Sequence, residues 1–219
     1  LAYIGKTPTP APLTSSDITN GVVTGEKLNA DVISSQTELA TAPADTDEFL
    51  ISDAGVLKRL DASLVGGGGI TEADQWRLTA NKTDSSDITA NLERNDSTGF
   101  GYIGTGMTES SGIFSFPSTG IYLVETTGSF EAIPDDSVNL IINVTTDNGS
   151  YTEVAKGLTA GDGSSTGFGS STTSFYFDVT NVSTHKVKFS TSSISSGTSL
   201  MGNSTMNFTY FNFIRLGDT

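Results

Sequence analysis

No cysteine occurs among the 219 residues. That excludes a disulfide framework and a thiolate metal centre, and it leaves the redox compartment unmarked. Histidine is reduced to one copy, His185, so imidazole chemistry has a single place to occur. Positive charge is also scarce: 11 Lys and Arg stand against 25 Asp and Glu, for a formal net charge of -14. Neutralising nucleic-acid phosphates needs a basic surface, and the same negative field is repelled by anionic lipid headgroups. Neither a nucleic-acid partner nor membrane insertion is expected, and the acidity reads as a source of solubility and of repulsion between like particles. No apolar run approaches the ~20 residues of a membrane helix. Leu1 to Lys6 has no apolar signal-peptide core, so a soluble protein is expected.

Aromatic residues are nearly missing from the first half. Before residue 99 there are only Tyr3, Phe49 and Trp76. Buried aromatics make the largest side-chain contributions to a core, so the core belongs to the second half. Residues 1–12 join a small apolar hook, Tyr3 and Ile4, to a strap in which Pro8, Pro10 and Pro12 favour extended backbone. Residues 13–65 are a series of short units. Asn20-Gly21 signals a turn, Val32 to Leu39 suits either a short strand or one helical turn, and two small strands between Asp45 and Leu60 flank an Ala54-Gly55 turn. Each unit has too few aliphatics to bury by itself, whereas three identical chains side by side can enclose a common narrow core. An intertwined shaft or collar is therefore expected. Gly66 to Gly69 are four consecutive glycines that impose no conformation and read as a hinge.

Residues 70–219 hold ten expected strands, near 75–80, 88–94, 100–105, 112–116, 120–131, 138–146, 150–158, 171–180, 185–193 and 206–216. The fold class is all-β, a ten-stranded sandwich head behind an extended β-rich N-terminal region. Two strands are apolar on both parities: Ile121, Tyr122, Leu123 and Val124 in one, and in the other Phe208, Tyr210, Ile214 and Leu216 on one parity with Phe211 and Phe213 on the opposite one. A strand without a solvent face needs cover on both sides. Ile121, Tyr122, Leu123, Val124, Tyr210, Phe211 and Phe213 are therefore expected to line an interface between copies of the chain.

Motifs that carry chemistry in other settings lack their context here. Gly163 to Gly167 fits a nucleophile-elbow pattern but falls in a Gly/Ser-rich loop between strands, away from His185. Gly99 to Gly104 spells a dinucleotide fingerprint with no helix after it. Carboxylates gather at Asp45, Asp47 and Glu48 and at Asp135 and Asp136 without the facing separation a glycosidase requires. No enzyme activity, cofactor or protein-held metal is expected, and a cation on a threefold axis is left open.

Gly112-Ile113-Phe114-Ser115-Phe116-Pro117-Ser118-Thr119-Gly120-Ile121-Tyr122 and the closing Asn207 to Leu216 resemble the globular heads of complement and tumour-necrosis-factor-like proteins. That resemblance implies a jelly roll assembled as a homotrimer. It covers the last 120–150 residues or so, and the chain departs from it in lacking both cysteine and a collagen-like stalk. The first part, Ala2 to Pro8, Ile18 to Leu28 and Ala42 to Leu60, resembles fibre proteins of tailed bacteriophages, particularly marine ones. This second resemblance implies that the N-terminus, with Tyr3, Ile4 and Lys6, anchors a trimer to other virion proteins of the tail or capsid.

The expected organisation is an anchor at 1–12, a trimeric collar at 13–65, a hinge at 66–69 and a jelly-roll head at 70–219. The expected function is a virion appendage whose head recognises a host-surface glycan or protein through loops such as Gly157 to Ser171 and Ser192 to Ser204. The alternative is a structural or decoration protein that binds only other virion proteins.

Overall fold

The computed structural model describes residues 14–18, 23, 31–41, 43–44, 46–65, 69–131, 137–160 and 167–219. The chain divides into two compact units, Leu1–Gly67 and Gly68–Thr219. The anchor residues Tyr3, Ile4 and Lys6, the Asn20-Gly21 turn, and the carboxylates Asp45, Asp135 and Asp136 lie outside the described residues.

In the first unit a single helical turn, α1 (Asp31–Ser34), forms at the start of the 32–39 stretch, and no strand forms along it. Strands β1 (Glu48–Asp53) and β2 (Val56–Asp61) form an antiparallel hairpin with Phe49 opposite Leu60. Ala54 (φ 50°) and Gly55 (φ 80°) give the left-handed two-residue turn that matches the twist of paired strands. Lys58 pairs with Asp53 and Arg59 with Glu48 across the ladder. Phe49, Leu50, Val56 and Leu57 are 43–72% exposed, so the hairpin has no core of its own.

The second unit is a two-sheet sandwich. In chain order its strands are β3 (Ala73–Leu78), β4 (Leu92–Arg94), β5 (Thr108–Ser110), β6 (Ile113–Ser115), β7 (Gly120–Glu131), β8 (Val138–Thr145), β9 (Thr152–Thr159), β10 (Phe168–Val179), β11 (Lys186–Ser192), β12 (Ser199–Leu200) and β13 (Tyr210–Gly217). One six-stranded sheet runs β10-β7-β13-β3-β4, with β12 added to the end of β7, and a five-stranded sheet runs β5-β6-β11-β8-β9. All pairings are antiparallel, and most neighbours are distant in sequence, as the crossovers of a jelly roll require.

Period-two alternation builds the core. Along β7 the even residues from Gly120 to Phe130 are buried and the odd ones half-buried. At the centre, Phe114 meets Trp76 and Phe189 edge-on with centroids 5.5 and 5.6 Å apart, and Phe213 tilted at 5.1 Å. Tyr122 lies in the same layer. Its hydroxyl donates to the Ser118 carbonyl at 3.1 Å, and burial raises its pKa above the ordinary tyrosine value. Two glycines permit close approaches. A Cβ on Gly120 (φ 145°) would stand 2.4 Å from Arg215 Nε, and one on Gly112 (φ 85°) 2.2 Å from the Ile88 carbonyl oxygen.

The expected interface residues divide accordingly. Tyr122, Val124, Phe211 and Phe213 are 0–1% exposed inside the subunit's own sandwich, so they have no surface to offer a neighbour. Consecutive apolar residues point to opposite faces, and the inner parity is already covered by the five-stranded sheet. Ile121, Leu123 and Tyr210 remain on the outer face. The strand expected at 100–105 is reduced to one bridge, Ile103 with Ala73, and β5 and the two-residue β12 were not anticipated.

Candidate interaction surfaces

The outer face of the six-stranded sheet can be reconstructed row by row from strand register. Tyr176 on β10, Leu123 on β7, Ile214 on β13 and Ala73 on β3 form one row. The next is Ser174, Glu125, Asn212 and Gln75, and the third is Thr172, Thr127, Tyr210 and Arg77. Tyr176 is 66% exposed, and a hollow of about 260 Å³ opens beside Ile214 and Phe100.

These rows include two charged side chains, and both are engaged. Glu125 ends a one-way chain of amide hydrogen bonds. Asn95 and Asn207 donate to Gln75 Oε1 (2.7 and 2.6 Å), Gln75 donates to Asn212 Oδ1 (2.7 Å), and Asn212 donates to Glu125 Oε1 (2.9 Å). Arg77 is fully buried under the segments that follow β4 and precede β13. It donates to Glu93 (2.6 Å) and Ser97 (2.8 Å), and also to Asp96 and the Ser204 carbonyl. The adjoining row places exposed Asp178 beside Ile121, so the charge-poor area is the three rows above, of a composition that protein interfaces bury.

The outer face of the five-stranded sheet is different. Lys188 pairs with Asp87 at 2.6 Å and lies over the Tyr151 ring at 4.4 Å, Lys156 pairs with Glu153 at 2.7 Å, and Lys186 donates to the Val182 carbonyl at 2.7 Å. Burial raises the Tyr151 pKa, with Asp87 adding to the effect.

Two concavities lie away from the centre of these faces. An apolar groove of about 500 Å³ runs between Phe130, Phe168, Met201 and Phe208, beyond the point where β13 begins. A second cleft, of about 240 Å³, is enclosed by the β3–β4 connection at 79–91. That connection is stitched to three other elements. Lys82 and Leu200 exchange backbone hydrogen bonds (2.9 and 2.8 Å), Ile88 N–H donates to the Phe189 carbonyl (2.9 Å), Thr191 N–H to the Ser86 carbonyl (3.0 Å), and Ile194 N–H to Ser85 Oγ (2.8 Å). Lys82 Nζ donates to Asp84 (2.6 Å) and Ser86 (2.8 Å), and the lysine hydrogen bond, followed by that of Ser86, holds the Asp84 pKa below the usual carboxylate value.

Sequence reading missed this cleft because it assigned 88–94 to strand. The polar run Asp84-Ser85-Ser86-Asp87 was the available signal. Of the expected recognition loops, Ser192 to Ser204 is tied to the same cleft, since Asn81 donates to Ser199 Oγ (3.2 Å) and accepts from Gly202 N–H (2.9 Å). Gly157 to Ser171 consists largely of the ends of β9 and β10, with 161–166 outside the described residues.

The chemically suggestive residues are structurally occupied. His185 is 8% exposed, stacks on Phe177 at 5.5 Å, and meets the hydroxyls of Thr180 (3.2 Å) and Thr184 (3.1 Å) through its two ring nitrogens. Asp74, 6% exposed, accepts from Trp76 Nε1 (2.9 Å), Met107 N–H (2.8 Å) and Arg94 Nε (3.1 Å), which ties three segments together.

No family model and no curated protein matches the chain. Solved structures do. Murine APRIL at pH 8.5 superposes with a TM-score of 0.50 at 12% identity, over 66% of this chain and 98% of that one. The Eiger TNF of S. frugiperda superposes with a TM-score of 0.54 at 12% identity, over 69% and 96%. At such identities the likeness shows the fold: the second unit is a tumour-necrosis-factor-like jelly roll.

Proposed function

We propose that the chain is a homotrimeric virion appendage whose jelly-roll head packs through the outer face of its six-stranded sheet and recognises a host surface. The observation that carries this reading is the contrast between that face and its opposite. In a chain of net charge -14, the three central rows from Tyr176 to Arg77 expose hydroxyls, amides, aliphatics and Tyr176, with both charged groups engaged. Burying such a face removes apolar area from water at little electrostatic cost.

The first unit fits the same assembly. Its hairpin leaves Phe49, Leu50, Val56 and Leu57 exposed, and copies of the chain set side by side would cover them. The N-terminal segment holding Tyr3, Ile4 and Lys6 is the proposed anchor to other virion proteins. Three heads per appendage multiply weak individual contacts with a host glycan or protein. The role is one of binding, without catalysis.

Light scattering of the full chain tests the assembly, with an expected mass three times the 22.8 kDa of one chain. A monomer mass in dilute buffer overturns it. The role is tested with particles whose appendage ends at Val65. They are expected to lose adsorption to the host, and unchanged adsorption rejects host recognition by the head.

A further inference from the structure

The cleft within 79–91 is built like a ligand site of a particular kind. Its 240 Å³ lie just under the range of roughly 300–1,000 Å³ typical of pockets for drug-sized ligands, which suits one small ring. Leu78 and Ile88 lie beneath the cleft but are only 1% and 2% exposed, so what it presents to a ligand is its polar rim. The rim side chains of Thr83, Thr89 and Asn91 are exposed, and no other group of the described chain takes up their hydroxyls or amide. The carboxylates are matched by cations, Asp84 by Lys82 and Asp87 by Lys188. The connection is already fixed by its hydrogen bonds to β11, β12 and the segment after β11, so little ordering remains to oppose binding.

Electrostatics and chemistry narrow the ligand. An anion meets a chain of charge -14 and a lysine already engaged by Asp84 and Ser86. A divalent cation needs six or more oxygen ligands, and both carboxylates here already serve lysines. A wholly apolar molecule would strip water from the rim hydroxyls and amides without replacing their hydrogen bonds. A small neutral ring carrying several hydroxyls can both donate to and accept from the rim, and it brings no charge to be compensated.

We propose that this cleft is a saccharide subsite taking one neutral hexose-sized residue of a surface glycan. The sugar hydroxyls exchange hydrogen bonds with Thr83, Thr89, Asn91 and the outer oxygen of Asp84. This names the ligand class for the host recognition put forward above and takes its biological sense from that reading. The cleft itself lies within one chain and needs no trimer.

The test is a titration of the isotope-labelled full chain with glucose, galactose, mannose and N-acetylglucosamine, and with glucuronate as an anionic probe, followed by amide shifts. At least one neutral sugar is expected to shift amides of residues 81–91 with a dissociation constant on the order of millimolar. The triple variant Thr83→Val, Thr89→Val, Asn91→Gly removes the rim hydrogen bonds: the two valines keep the threonine volume, and glycine deletes the amide while keeping the left-handed backbone of Asn91 (φ 58°). It is expected to keep the native mass and circular dichroism and to bind at least about tenfold more weakly, whereas Phe168→Ser in the apolar groove binds normally.

No shift with any neutral sugar overturns the proposal, as do shifts with glucuronate alone, shifts confined to the Phe168 groove, or full binding by the triple variant. Sugar binding by the pure protein together with normal adsorption of head-truncated particles leaves the cleft standing and rejects the host-recognition reading. The opposite pair of results does the reverse.

Discussion

The two sheets of the head share one interior and differ on the sides they turn away from it. Inside, both alternate in the same way: Phe114 and Phe189 from the five-stranded sheet mesh with Phe211 and Phe213 from the six-stranded one. Outside, one sheet shows Lys156, Lys186 and Lys188 with their acidic or carbonyl partners beside an exposed Leu158, and the other shows Leu123, Ile214, Tyr176 and a chain of amides, with Asp178 in the adjoining row. A shared interior explains why the subunit folds, and it does not distinguish the sheets. The outer faces do distinguish them. The lysine-bearing face is dominated by paired charge, and the amide-and-aliphatic face is the one proposed above to meet a neighbouring chain.

Phe114→Ala removes the ring that both sheets pack against. It is expected to cost about 3–5 kcal/mol, a large part of the stability of an ordinary domain, so thermal melting should show a largely unfolded head. Survival of the native melting temperature would mean that the sheets do not depend on their common layer.

Leu123→Lys puts a long, hydrated cation at the outer six-stranded face. The expected outcome is a folded monomer by light scattering, with unchanged circular dichroism. Lys188→Glu on the opposite face should leave the mass unchanged. Equal effects from both substitutions would erase the contrast on which the proposed interface rests.

Gly112→Ala acts in the turn that joins β5 to β6. Its Cβ would meet the Ile88 carbonyl at 2.2 Å in a left-handed backbone, so a loss of about 2 kcal/mol or more in chemical denaturation is expected, along with displacement of the 79–91 connection.

The smallest effect is acid titration of the β8–β9 turn. Asp147 accepts from Thr145 Oγ (2.7 Å), Gly149 N–H (2.9 Å) and Ser150 N–H (3.0 Å), and these bonds hold its pKa below the ordinary 3.8. A carboxyl depressed in the folded state contributes fully above 3.8, and its contribution disappears as pH falls through the lower, folded value. The Gly149 and Ser150 amide signals should move in that window, and Asp147→Asn should abolish the movement.

Much of the fold was legible because its signals are local. Alternation along 171–180 and at Val187 and Phe189 placed strands, and Ala54-Gly55 placed the hairpin turn. The candidate surfaces were legible only in part. Tyr122 and Phe213 looked like interface residues for the same reason as Leu123: each sits in an unbroken apolar run. Arg77 looked like an ordinary strand cation, and yet it is sealed by partners as far away as Ser204, 127 residues along the chain. The 79–91 cleft left almost no trace in sequence, since its walls are secured by β11, β12 and Ile194, more than a hundred residues later.

From sequence alone came the acidic, cysteine-free character, the assignment of the core to the second half, and the two parities of each apolar strand. Tertiary structure alone decided which parity the subunit buries and which it turns outward. Side-chain alternation specifies two faces and says nothing of what covers either one. That depends on pairing between strands such as β7 and β13, whose partners lie more than eighty residues apart.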